Sequence, residues 1–160
     1  MTAEPKLKLP ALDPASIEVR RGSAYPAEFA NATEGRERQA LGNAAGLTHF
    51  GVNLVRLKPG AASALRHWHV HEDEFVYVLE GEITLVTDAG EQVLEPGLAA
   101  AFPAGKADGH NLVNKTSQDA LYLEIGDRHP AEEVHYPDDD LHVRWADGAL
   151  LFTRKDGSKV

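Results

Sequence analysis

The stretch GAASALRHWHVHEDEFVYVLEG, residues 60–81, decides the fold. Side chains two apart on a strand share a face, so His67 and His69 point the same way as Ser63 and Leu65. Glu74 lies an odd number of positions from His69, which would put it on the opposite face of an unbroken strand. The intervening VHED is turn-like, and it lets Glu74 open a new strand facing the same interior. In that strand, EFVYVLE, Glu74, Val76 and Val78 take one face and Phe75, Tyr77 and Leu79 the other. Both faces are apolar, which predicts that both are covered, as in a closed or double-sheet architecture.

Outward from this stretch the chain keeps the same texture. HFGVNLVRL, EITLVT, EQVLE, LAAAF, HNLVN, ALYLEI and LHVRW are short segments rich in β-branched, aromatic and leucine residues, each closed by Gly, Pro, Asp or Asn. Gly81 and the run Asp88 to Gly90 mark hairpin turns. The fold class is therefore all-β, a sandwich or barrel. Pro5, Pro10 and Pro14 give the N-terminus the character of an extended arm, and EGRERQAL, residues 34–41, has the composition of a short helical turn ended by Gly42. The predicted organisation is arm and turn over 1–48, barrel core over 49–127, and C-terminal strands packing on the barrel over 128–160.

Two imidazoles and a carboxylate converging on one interior are nitrogen and oxygen donors suited to a divalent transition metal. His110, on a strand face shared with Leu112 and Asn114, is the fourth candidate ligand. Four such ligands leave open octahedral positions for water or substrate. Val76 and Val78 predict an apolar cavity floor, and whether Tyr122 and Glu124 face inward is open at this stage. His71 reads as a loop residue, Trp68 as packing, and His49, His129, His135 and His142 as surface residues.

The motif spacing resembles that of the cupins. Gly60, His67, His69, Glu74 and Gly81 follow the family's first motif with one extra residue after the first glycine. Gly97, Pro103, Gly105, His110 and Asn114 follow the second, with Lys106 to Gly109 two residues longer than the pattern. The resemblance covers about Val52 to Ile125. It implies a double-stranded β-helix, or jelly roll, with one metal ion (Mn, Fe, Zn or Ni) in the barrel mouth on His67, His69, Glu74 and His110.

Composition narrows the functions. The 160 residues include 25 acidic and 16 basic side chains, a net charge of −9, which repels nucleic acid. There is no cysteine, hence no disulfide or thiolate site. No apolar run approaches the ~20 residues of a membrane span, and MTAEPKLKLPALDP lacks a targeting core, so a cytoplasmic protein is expected. The expected partners are a small-molecule ligand and a second copy in a homodimer, because the arm has little amphipathic pattern of its own and sheet edges need covering. The reading is a metal-dependent enzyme of isomerase or lyase type on a sugar, sugar phosphate or oxyacid. An iron-dependent dioxygenase and a non-catalytic sensor are the alternatives. Arg66, Val76, Lys106 and Tyr122 are the substrate-binding candidates, with no catalytic residue assigned. The few basic residues expected at the mouth, Lys106, Arg66 and Arg56, weigh against a phosphorylated substrate.

Overall fold

The computed structural model describes residues 7–160. Its strands are β1 (Arg20–Arg21), β2 (Arg36–Ala40), β3 (Phe50–Leu57), β4 (Trp68–His69), β5 (Glu74–Glu80), β6 (Ile83–Thr87), β7 (Gly90–Leu94), β8 (Ala99–Phe102), β9 (Asn111–Val113), β10 (Ala120–Asp127), β11 (Glu133–His135), β12 (His142–Ala146) and β13 (Ala149–Thr153). One four-residue helix, α1 (Leu41–Ala44), and 3-10 turns at Pro14–Ser16 and Ala27–Thr33 complete it. The all-β jelly roll expected from the sequence is what forms.

One layer is an antiparallel sheet in the order β1-β2-β3-β10-β5-β8. The facing layer comprises β7-β6-β9 and β13-β12-β11-β4. Residues 60–67 run antiparallel to β9 and join those two sheets through the bridges Ala62↔Val113 and His67↔His110. Between the layers lies a core of Val55, Leu57, Val76, Val78, Ile83, Leu85, Leu112 and Tyr122. A second cluster, Val134, Tyr136, Leu141 and Val143, packs on Tyr25, Phe29 and Leu65, and so ties the C-terminal strands to the arm. No helix among the described residues is long and apolar enough to cross a membrane.

Gly81 closes the hairpin between β5 and β6 at φ +73°. A Cβ there would sit 2.5 Å from the Asp119 carbonyl oxygen, so both conformation and space demand glycine.

Two expectations are corrected. The predicted helical turn at 34–41 is mostly strand: Arg36–Ala40 pairs in register with β3, from Arg36↔Leu57 to Ala40↔Asn53, and the helix starts only at Leu41. Glu, Arg and Gln favour helices weakly, and eight residues of propensity lose to a ladder of backbone hydrogen bonds. The outer face of β5 is also less covered than expected, with Phe75 and Tyr77 each 40% exposed and Leu79 38%. Among the described residues, no flanking segment packs over that part of the six-stranded sheet.

Candidate metal centre and adjoining chambers

His67 and His110 meet because their backbones pair. His67 N–H donates to the His110 carbonyl and His110 N–H to the His67 carbonyl, at 3.1 and 2.8 Å. His69 follows on β4, and Glu74 opens β5 on the opposite sheet, paired to Phe102 and Gly126. The Nε2 atoms of the three imidazoles converge on that carboxylate: His110 at 2.7 Å, His69 at 3.2 Å and His67 at 3.7 Å. His67 donates Nδ1–H to the Leu65 carbonyl at 2.8 Å, since a carbonyl can only accept, so its Nε2 lone pair faces the cluster. The His110 ring lies flat on Phe102, its centroid 3.5 Å away.

The fit to a cation shows in what these groups lack. His69 Nε2 and His110 Nδ1 are buried without a hydrogen-bond partner. His67, His69 and Glu74 bring ligand atoms within the mutual reach of one ion, and His110 stands beside them. A buried carboxylate ringed by imidazole nitrogens is a donor set that could hold a divalent transition metal.

Electrostatics agree with the geometry. Burial would push the Glu74 carboxyl up, but the hydrogen bond with His110 and the nearby His67 and His69 imidazoles hold it well below the usual range. Burial would likewise lower His69, yet Glu132 and Glu74 raise it to about 10. Glu132 stands 3.6 Å from His69 Nδ1, on the side away from Glu74, and accepts from the Val70 N–H at 3.0 Å. Burial lowers His110, with Glu74 opposing.

Two connected chambers adjoin the cluster. The inner one, of about 180 Å³, is lined by His67, His69, Glu74 and His110 and by Val76, Tyr122 and Glu124. The outer one, of about 700 Å³, shares His69, Arg36, Tyr25 and Tyr136 with it and adds Arg38 and Arg128. The open question about β10 is thus answered: Tyr122 and Glu124 both face inward, opposite Val78 and Val76 on β5. Glu124 has no hydrogen-bond partner among the described residues. Burial first and the Glu74 charge second raise its pKa, with Arg36 and Arg38 opposing.

The other sequence candidates separate. Val76 and Tyr122 line the inner chamber; Lys106 lines a further hollow of about 350 Å³ that reaches His69 and His110 from another side, alongside Trp68. Arg66 lines none of these. Its guanidinium grips Asp138 through two bonds of 2.7 and 2.9 Å, the Gly109 carbonyl at 3.0 Å and Asp88, so its donors are engaged in clamping these segments together. The floor is not simply apolar, because Ser63, Tyr122, Glu124 and Arg36 share it with Val76. Sequence reasoning missed Arg36, Arg38 and Glu132. A period-two reading of RERQA would have put Arg36 and Arg38 on one face, but nothing local aims Glu132 at His69.

The Cupin domain family profile matches residues 53–126. A sugar phosphate isomerase from a cupin superfamily, from Silicibacter pomeroyi, is 51% identical over 94% of this chain and 96% of its own, with a TM-score of 0.92. A protein of Acidithiobacillus ferrooxidans named as a candidate sugar phosphate isomerase is 31% identical over 78% of this chain and 80% of its own, with a TM-score of 0.72. The polyketide cyclase RemF of Streptomyces resistomycificus, 21% identical over 76% of this chain and 82% of its own at a TM-score of 0.63, shares the fold. No curated protein matches the sequence.

Proposed function

The chain belongs to the cupin superfamily, and on that premise we propose that it is a metal-dependent isomerase of a small polyhydroxylated carbonyl metabolite, of the sugar phosphate class. The carrying observation is the pairing, in one inner chamber, of the His67, His69, Glu74 and His110 cluster with the unpartnered carboxyl of Glu124. The two neighbours named for sugar phosphate isomerisation support the substrate class.

In this reading His67, His69, Glu74 and His110 hold one divalent ion, Mn, Fe, Zn or Ni. When bound, it supplies a Lewis acid that polarises a carbonyl or hydroxyl oxygen of the substrate. Glu124 carries the proton. In an aldose to ketose conversion, the C2–H proton passes to the Glu124 carboxylate while the C1 carbonyl becomes a hydroxyl. The proton returns from Glu124 to C1 as the C2 hydroxyl gives up its own, which replaces the proton taken up by the C1 oxygen, and C2 becomes the carbonyl, so atoms and electrons balance without an oxidant. Val76 and Phe102 exclude water from one wall, which keeps the transferred proton from leaking.

The barrel core over 49–127 carries the chemistry in this proposal, the segment 1–48 supplies the arginine wall through β2, and 128–160 places Glu132 behind His69. The protein is also proposed to be a homodimer, its two copies covering the exposed Phe50, Phe75, Tyr77 and Leu79 of the six-stranded sheet.

The test is deuterium exchange. Protein loaded with Mn, Fe or Zn is incubated in deuterium oxide with aldose and ketose phosphates, and label at C1 and C2 is read by NMR. Exchange and interconversion are expected with the wild type, vanish on chelation, return with metal, and fall about 100-fold or more in Glu124→Gln at unchanged metal content. Unchanged exchange in Glu124→Gln overturns its role. Product formation only in the presence of O2 overturns the isomerase reading in favour of the dioxygenase.

A further inference from the structure

Arg36, Arg38 and Arg128 line the outer chamber together, drawn from two distant parts of the chain. None of the three forms an ion pair with a carboxylate among the described residues. Arg36 spends Nη1 and Nη2 on the carbonyls of Ser63 and Gly22, and its Nε is buried without a partner. Among the described residues, the Arg128 guanidinium bonds the Leu47 carbonyl and the Asn43 side chain. The Arg38 guanidinium makes no hydrogen bond among the described residues, and burial and the Arg36 charge disfavour its cation while the Glu124 charge opposes them.

The acids at the same chamber are committed elsewhere. Glu72 accepts from the His129 N–H at 2.7 Å, and Glu132 from the Val70 and His71 N–H groups while facing His69. Glu124 faces the inner chamber and bonds neither guanidinium. Arg36 and Arg38, both half-buried, have only the unbonded Glu124 carboxyl as a compensating charge nearby, an arrangement that is costly to a fold unless a ligand brings further negative charge. In a chain of net charge −9 such a gathering is a local reversal of the global sign.

We propose that the outer chamber is an anion subsite that takes the phosphoryl group of the ligand, held by Arg38 with Arg36 and Arg128 beside it. The inference deepens the isomerase reading and rests on it for the identity of the rest of the ligand. A phosphoryl dianion offers more acceptor oxygens than a carboxylate and suits the free fork of Arg38, with Arg36 and Arg128 adding charge. Arg36 borders both chambers, so an anion against it would leave the attached carbon chain directed at Glu124 and the His cluster. The inner chamber, at about 180 Å³, is smaller than the ~300 Å³ at which ligand pockets commonly begin. A ligand reaching Glu74 therefore extends into the outer one.

The experiment is calorimetric titration of the full-length protein with inorganic phosphate, D-fructose 6-phosphate, D-fructose and D-gluconate. Wild type is compared with Arg38→Gln, Arg38→Glu and Glu74→Gln, with metal content measured in each. Because the Arg38 guanidinium bonds no group among the described residues, its replacement is expected to leave folding and metal content intact. Phosphate and the sugar phosphate are expected to bind about tenfold or more weaker in Arg38→Gln, weaker still in Arg38→Glu, and to weaken with rising salt. Inorganic phosphate is expected to bind Glu74→Gln as it binds wild type. Equal phosphate affinity in Arg38→Gln and wild type overturns the proposal, as does phosphate binding lost in Glu74→Gln alone, which would place the anion at the metal. Gluconate binding as tightly as phosphate with the same Arg38 dependence overturns the phosphoryl assignment. The isomerase reading fails separately: Arg38-dependent phosphate binding without deuterium exchange keeps the subsite and removes the reaction, and exchange on neutral sugars without phosphate binding does the reverse.

Discussion

Arg66→Ala is expected to cost stability and to loosen the metal centre at once. The guanidinium is 17% exposed and joins three segments: the turn at Asp88, the loop ending at Gly109, and Asp138 beyond β11. Its carboxylate partners are open to solvent, Asp88 at 54% and Asp138 at 58%, so each pair contributes at the scale of exposed ion pairs, up to ~1 kcal/mol. The Gly109 carbonyl is less exposed, and losing its donor adds about 1 kcal/mol. The sum is about 2 kcal/mol, or a melting temperature lower by about 4–8 °C for a chain of this length. Gly109 immediately precedes His110, and a Cβ at Gly109 would lie 2.6 Å from Pro137, so this loop has little slack once its anchor is gone. Metal affinity should therefore fall in Arg66→Ala although no ligand is touched. The pH dependence has a definite sign. The hydrogen bonds from Arg66 hold the Asp138 carboxyl below its ordinary 3.8, so this contribution is present above that pH and is lost as pH falls through the lowered value. The gap between wild type and Arg66→Ala should hold constant from pH 5 to 8 and close in stronger acid. Urea melts across pH, with metal titrations on the same samples, measure both effects. A stability loss under ~0.5 kcal/mol, the level of an ordinary surface substitution, would refute the clamp.

His67→Ala and Glu74→Gln are each expected to lose bound metal by elemental analysis while circular dichroism still reports a folded β-protein, because the apolar core is built from other side chains. Gly81→Ala should destabilise by about 2 kcal/mol or more in urea, the combined result of a left-handed backbone and a Cβ 2.5 Å from the Asp119 carbonyl. The dimer predicts a light-scattering mass of two chains at micromolar concentration, and Phe75→Glu with Tyr77→Glu should halve it; a monomeric wild type would remove the idea.

The parts of the fold legible in the sequence were those governed by local pattern. EFVYVLE announces β5 residue for residue, Glu74–Glu80, and the parity of His67 and His69 needs no knowledge of any other strand. Long-range pairing was not legible. β11 was not foreseen, since EVH is three residues long and exists because Val134 and His135 pair with His69 and Trp68. Glu132 reaches His69 by the same pairing. The reading of EGRERQAL as helix failed for a related reason: its residues favour helices in isolation, but Arg36 to Ala40 form the neighbour of β3 in the sheet. The exposed face of β5 could not be separated from a covered one by alternation alone, because Phe75, Tyr77 and Leu79 are equally apolar in either case.

The charge of the chain illustrates why composition bounds function only coarsely. A net charge of −9 weighs against a nucleic-acid surface, and the scarcity of lysine and arginine near the two motifs weighs against a phosphorylated ligand as well. The first inference concerns the field far from the protein, which sums over every charge. The second concerns a space a few ångströms wide, where what counts is which side chains the topology delivers and whether other groups already neutralise them. β2 carries Arg36 and Arg38 onto the inner face of the six-stranded sheet, and Arg128, just beyond β10, joins them from the far end of the barrel segment. Meanwhile Arg66, adjacent in sequence to His67 and the natural candidate, is neutralised by Asp138 and Asp88. An anion site there would thus arise from strand pairing and from guanidiniums that bond no carboxylate among the described residues, two properties that no residue count contains.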